Sequence, residues 1–95
     1  MHIISRKALR TFWQKHPDSK TALARWFKIV THTEFRSFDE LRLVFPFADQ
    51  VGDLIVFNVG GNKYRLIASI HFNRGKVYVR QVLTHAEYDR GDWKQ

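Results

Sequence analysis

Apolar positions recur with a helical period through the first half of the chain and with a strand period through the second. Ser5 precedes Ala8, Leu9, Phe12 and Trp13 at helical spacing, while Arg6, Lys7 and Arg10 fall off that stripe. A helix is expected over about 5–15, with Ser5 as its N-cap. Pro17 stops it, Asp18 or Ser19 caps a second helix, and Ala22, Leu23, Trp26, Phe27 and Val30 form that helix's apolar face. The short connection predicts antiparallel packing of the two. Ser37 and Glu40 have capping-box spacing and lead into Leu41, Val44 and Phe45 before Pro46, which predicts a third short helix or a tight loop.

From Leu54 the period changes. The run LIVFNV is continuous enough for a strand buried on both faces, and Gly60-Gly61 predicts a two-residue hairpin. The next run alternates, with Tyr64, Leu66, Ala68, Ile70 and Phe72 toward a core and Lys63, Arg65, Ile67, Ser69 and His71 on a polar side. Val77, Val79 and Leu83 then share one face, and Lys76, Tyr78 and Arg80 the other. Taking Arg74-Gly75 as a two-residue loop sets His71 opposite Tyr78, Ser69 opposite Arg80 and Arg65 opposite Thr84. The same parity puts Asn58 on the polar side and Ile55, Phe57 and Val59 in the core. The expected fold is α+β: two N-terminal helices packed on a three- or four-stranded, mainly antiparallel sheet, residues 2–4 being the optional edge strand, all within one domain over 1–95.

Charge narrows the functional classes. Sixteen Lys and Arg against nine Asp and Glu give a net charge of +7, which favours polyanionic partners. Its placement matters more: residues 54–83 hold Lys63, Arg65, Arg74, Lys76 and Arg80 and no acid. The absence of cysteine excludes thiolate metal sites and cysteine nucleophiles, and fits a reducing compartment. Neither a signal-peptide core nor an apolar run of membrane-spanning length occurs, so a cytoplasmic protein without membrane association is expected.

Arg65 and Arg80 on neighbouring strands of one face would suit a phosphate, since guanidinium N–H pairs match its oxygens. Asn62, Lys63, His71, Arg74 and Lys76 extend that face as RNA-binding candidates. Beyond the last strand, His85 and Tyr88 are three apart and fall on one side of a helical turn, where a proton-transfer group can be delivered to that phosphate. Such a site needs neither metal nor cofactor if the nucleophile is a 2′-hydroxyl, which selects RNA over DNA. Each residue also has an ordinary explanation as solvated strand, hairpin-flank or helix-packing side chain. Thr84 and Asp89 read as turn and capping residues, His2, His16 and His32 as solvent residues, and Trp93 as a possible stacking partner for a base. The histidines lack metal-ligand spacing, so no metal site is expected.

The runs VFNVGGNKYRLIASI and NRGKVYVRQVLTHAEYD resemble the HigB family of type II toxins, within the RelE-like superfamily, and the likeness spans nearly the whole chain. The resemblance implies an mRNA interferase that cuts transcripts, commonly on the ribosome with its rRNA, and is held inactive by a HigA-type antitoxin. It maps the basic strand residues to Lys63, Arg65 and Arg80, and the terminal catalytic group to His85 or Tyr88. The alternatives are a non-catalytic RNA- or ribosome-binding module and a protein that uses its basic face only to dock an acidic segment.

Overall fold

The computed structural model describes residues 1–94. Strand β1 (His2–Ile4) leads directly into helix α1 (Arg6–Lys15); α2 (Lys20–Thr31) and α3 (Phe38–Val44) follow. Strands β2 (Asp49–Val51), β3 (Leu54–Val59), β4 (Tyr64–His71) and β5 (Lys76–Thr84) come next, and α4 (His85–Arg90) ends the regular structure. The strands form one sheet in the order β1-β5-β4-β3-β2, antiparallel except where β1 lies parallel to β5. The α+β class and the edge strand at residues 2–4 match the expectation. The fifth strand, β2, was not expected; DQV has no apolar alternation to announce it.

Several local expectations change. Ser5 precedes α1 but sits at φ 79 and makes no side-chain cap, because the chain must turn there from strand to helix without a loop. Neither Asp18 nor Ser19 caps α2: the Ser19 hydroxyl donates to the His16 carbonyl, and the Asp18 carboxylate is taken by Tyr64 and Lys63. Ser37 does cap α3, accepting from the Glu40 amide at 3.2 Å. Both hairpin loops contain four residues, not two, since Val59 pairs with Tyr64 and His71 with Lys76. Four keeps the parity of two, so Asn58 stays on the face of Arg65, with which it pairs, and Ile55, Phe57 and Val59 stay in the core.

Parity fails in β5. Ala68 pairs with Val79 but Ile67 with Gln81, so Arg80 is an extra residue, a β-bulge. The four-residue loop sets His71 opposite Lys76 and Ser69 opposite Tyr78, and the bulge beyond them sets Arg65 opposite Leu83. Val82, not Leu83, joins Val77 and Val79 against the helices. Leu83 is turned to the opposite face, where it packs with Val51, Leu54, Val56, Ile67, Tyr88 and Trp93. That face is thus not uniformly polar. The main core between sheet and helices centres on Leu23, Trp26, Leu41, Phe57, Leu66 and Val77, while the second cluster fastens α4 and the C-terminal turn to the sheet.

Ile67 discriminates the two views of that face. Its side chain is buried in the second cluster, so Ile67→Ala is expected to cost about 2–5 kcal/mol in denaturant unfolding. On a solvated face the same change would cost about 0.5 kcal/mol or less.

Candidate active site

The start of β4 and the start of α4 are joined backbone to backbone: the His85 amide donates to the Lys63 carbonyl at 2.9 Å. A capping box rigidifies this corner. The Glu87 amide donates to the Thr84 hydroxyl at 3.2 Å, and the Glu87 carboxylate accepts from the Thr84 amide at 2.9 Å. Thr84 has the capping role expected of it. The hydrogen bond from the Thr84 amide, more than any nearby charge, holds the Glu87 carboxyl below its ordinary value.

Within α4, His85 Nδ1 lies 2.8 Å from Asp89 Oδ2, one helical turn away. The imidazole is 45% exposed, so its other nitrogen can meet a ligand while Asp89 holds the ring. Asp89 was not read as a functional residue, although its i,i+4 spacing from His85 is visible in the sequence. Tyr88, three residues after His85, points elsewhere. Its ring stacks on Trp93 at 5.0 Å, and the Arg65 guanidinium lies 5.3 Å from its centroid. Trp93 is buried and donates its indole N–H to the Tyr88 carbonyl at 2.9 Å, so it closes the second cluster and is not a free stacking residue.

Arg65 is only 8% exposed. Its Nη1 donates to the carbonyls of Asn62 (3.3 Å) and Tyr64 (3.1 Å), and its Nη2 to Asn62 Oδ1 (2.7 Å). These are neutral acceptors; among the described residues the charge is hydrogen-bonded but forms no ion pair. Lys63 turns its ammonium to Asp18, 3.4 Å away, on the helical side of the sheet. Asp18 also accepts from the Tyr64 hydroxyl at 2.6 Å, which holds the Asp18 carboxyl below its ordinary value and the tyrosine above.

The remaining candidates lie toward the other end of the sheet. Arg80, exposed at the bulge, carries its guanidinium 5.8 Å from the Tyr78 ring centroid, back along β5 and away from His85. His71 meets the same ring edge-on at 5.2 Å. His2, Lys76 and His71 form a row across β1, β5 and β4, with Arg74 in the adjoining turn. The predicted residues therefore form two groups. Asn62, Lys63, Arg65, His85 and Tyr88 gather where β4 begins and α4 starts, while His71, Arg74, Lys76 and Arg80 surround Tyr78. Arg65 and Arg80 are not lateral neighbours, since Arg80 lies three positions before Leu83, the partner of Arg65, roughly 10 Å along the strand. Tyr78 and His2 were not among the expected site residues. Alternation already puts Tyr78 on the polar face with Lys76, and the register between β1 and β5 adds His2 to that row.

The capping box predicts a pH dependence. A carboxyl whose folded value is depressed contributes its full stabilisation above the unfolded value, about 4.3 for Glu, and loses it as the pH falls through the folded value. Acidification below about 4.3 is expected to loosen α4, seen as faster amide exchange across residues 85–90. Glu87→Gln, which keeps an acceptor at this position, is expected to remove the Glu87 part of that acid dependence.

Comparison with known proteins converges on one family. Residues 19–91 match the HigB_toxin family, the RelE-like toxic component of a toxin-antitoxin system. The mRNA interferase toxin HigB of Escherichia coli (strain K12) is 40% identical over 92 residues, covering 94% of this chain and 88% of that protein. The mRNA interferase HigB of Shigella flexneri shares the same identity and coverage. The mRNA interferase HigB of Escherichia coli O6:H1 is 34% identical over 93 residues, covering 95% of this chain and 90% of its own length. With the family pattern matched over most of the chain and relatives of this identity aligned nearly end to end, the chain belongs to the HigB toxin family.

Proposed function

We infer that the protein is the toxin of a toxin-antitoxin pair and an endoribonuclease that cleaves mRNA, acting in the cytoplasm on transcripts engaged with the ribosome and silenced by a HigA-type antitoxin. Family membership and the activity named in the relatives carry the mRNA-cleaving toxin. For the site, the observation that carries most weight is the exposed His85 imidazole oriented by Asp89 at 2.8 Å.

The chemistry follows from that dyad. With Asp89 accepting from Nδ1–H, Nε2 of His85 takes the proton from an RNA 2′-hydroxyl. The freed oxygen attacks the adjacent phosphorus, the P–O5′ bond breaks, and the departing 5′-oxygen takes up a proton from water, leaving a 2′,3′-cyclic phosphate and a 5′-hydroxyl. Negative charge grows on the non-bridging oxygens during attack, and fixed cations stabilise it. Arg65 sits beside this corner as a buried positive charge, and its locked geometry also holds Tyr88. Tyr88 is a support for α4 in this reading, not the proton carrier, because its ring packs on both Trp93 and the Arg65 guanidinium. Arg80, Lys76, His71 and Arg74 bind the neighbouring backbone, Asn62 holds Arg65 beside the scissile phosphate, and Lys63 reaches RNA by exchanging Asp18 for a phosphate. Dependence on the ribosome accords with an open, basic surface, since rRNA phosphates can supply long-range attraction and hold the transcript in place.

The test is mapping of new 5′ ends by primer extension on a translated reporter, with and without ribosomes. Wild-type protein is expected to give ends only with ribosomes, and His85→Ala to reduce them by roughly 10²–10⁴ while the protein stays folded and RNA-bound. Asp89→Asn is expected to lower the rate and shift its pH profile without weakening binding. Arg80→Ala should weaken binding first, with a shallower salt dependence. Unchanged cutting by His85→Ala would overturn the assignment of the proton carrier, and robust cutting of naked RNA would overturn the ribosome requirement.

A further inference from the structure

Asp18 belongs to neither group of predicted site residues, yet its carboxylate holds two consecutive residues at the start of β4. The Tyr64 hydroxyl donates to Oδ1 at 2.6 Å, and the Lys63 ammonium lies 3.4 Å from Oδ2. The backbone of the same two residues holds the site: the Lys63 carbonyl accepts from the His85 amide at 2.9 Å, and the Tyr64 carbonyl from Arg65 Nη1 at 3.1 Å. Asp18 is itself well fixed. Pro17 restricts φ at the start of the 3₁₀ turn Pro17–Ser19, and the fully buried Ser19 donates its hydroxyl to the His16 carbonyl at 2.7 Å. The Tyr64 ring is buried and meets Phe12 edge-on at 5.2 Å, which leaves its hydroxyl little freedom to move away. Lys63 differs. Its side chain is 70% exposed, and an ion pair so open to water is weak enough to exchange.

We propose that Asp18 is a positioning residue of the RNA-cleaving site with two separable actions. Through Tyr64 it fixes the strand start on which His85 and Arg65 are hung, and through Lys63 it withholds a cation from RNA until a phosphate displaces the carboxylate. The proposal rests on the RNA-cleaving reading and adds to it a residue that touches neither the transcript nor the reacting atoms. The two actions have opposite effects. The first speeds cutting of bound RNA, because a small displacement of His85 from the reacting oxygen costs much of the rate. The second weakens RNA binding, because carboxylate and phosphate compete for one ammonium. Only the second needs a negative charge, since a neutral oxygen can also accept from the Tyr64 hydroxyl.

Three variants of the full chain separate the actions. Tyr64→Phe keeps the ring and removes the tie. It is expected to cut ribosome-engaged transcript about tenfold more slowly at saturating protein, to exchange the His85 amide faster, and to bind a short single-stranded RNA oligonucleotide as the wild type does. Asp18→Ala loses both actions, and is expected to bind the oligonucleotide about twofold to fivefold more tightly while cutting more slowly. Asp18→Asn keeps an acceptor for the hydroxyl, and is expected to bind as tightly as the alanine variant with most of the lost rate restored. Damage to the fold alone would lower binding and cutting together. In a Lys63→Gln background, Asp18→Asn is expected to leave oligonucleotide affinity unchanged; tighter binding there would reveal a general charge effect and overturn the hold on Lys63. Unchanged His85 exchange in Tyr64→Phe would overturn the positioning role. Neither of these two readouts requires cleavage, so a chain that cuts nothing yet shows both expected effects would sink the nuclease reading and leave both holds of Asp18 in place.

Discussion

Between Ile67 and Ala68 the β4–β5 ladder absorbs one extra residue, Arg80, and every side chain of β5 beyond it changes face. Val82 moves to the helix side, where Ala8 and Phe12 of α1 also pack, and Leu83 turns to the other side. With Leu83 there, Val56 and Ile67 acquire apolar neighbours, and Tyr88 and Trp93 have a surface to close over. Without the bulge, Leu83 would join the main core and the second face would offer α4 little to pack against. The bulge also leaves Arg80 exposed where β1 has ended. One local irregularity thus sets the seat of α4 and the position of the exposed arginine.

The helix that carries His85 is short, and a six-residue helix is not stable by propensity alone. Three restraints act together on it. The capping box satisfies amides at its start, the His85–Lys63 backbone bond ties that start to β4, and the Tyr88–Trp93 stack anchors its far side. Gly91 ends it in the left-handed conformation at φ 79, which lets the chain reverse so that Trp93 returns over Tyr88. His85 and Asp89 are then held on the exposed side of a fixed element. A proton carrier gains from such fixing, because a small displacement from the reacting oxygen costs much of the rate.

How much of this was legible in the sequence depended on whether the signal was local. The helices, the apolar strand 54–59, the acid-free basic block and the Thr84 capping box are local patterns and were readable. Loop parity was readable too, although the loops are twice the expected length, because four and two residues place side chains on the same faces. The bulge was not, since nothing within KVYVRQVLT distinguishes an inserted residue from continued alternation; it follows from how two separate strands and α4 share apolar side chains. Arg65 and Arg80 share a face in a regular ladder but already lie four positions apart along it, with Arg80 opposite Ser69 and Arg65 opposite Thr84, and the observed register leaves them in separate groups. Ser5 and Asp18 were misread for a related reason: tertiary demands, a direct strand-to-helix turn and the Tyr64 hydroxyl, outweighed their capping preference.

Arg65 shows what the folded arrangement does with a residue that is basic but inaccessible. Burying a guanidinium is costly unless its donors are satisfied, and here they meet carbonyl oxygens of Asn62 and Tyr64 and the amide oxygen of Asn62. A carboxylate partner would have satisfied the donors equally well and cancelled the charge. Neutral acceptors fix the group and leave its field intact, and a partly desolvated charge is screened less by salt than an exposed one. The Tyr88 ring adds a favourable cation–π contact without neutralising it. In the proposed reaction Arg65 acts on an incoming phosphate by potential and on α4 by packing, two roles that lysine, lacking the planar fork, would not reproduce together. Loss of activity on its replacement by alanine would mix both roles, whereas His85 and Arg80, whose side chains are exposed, report on chemistry and binding with less structural interference.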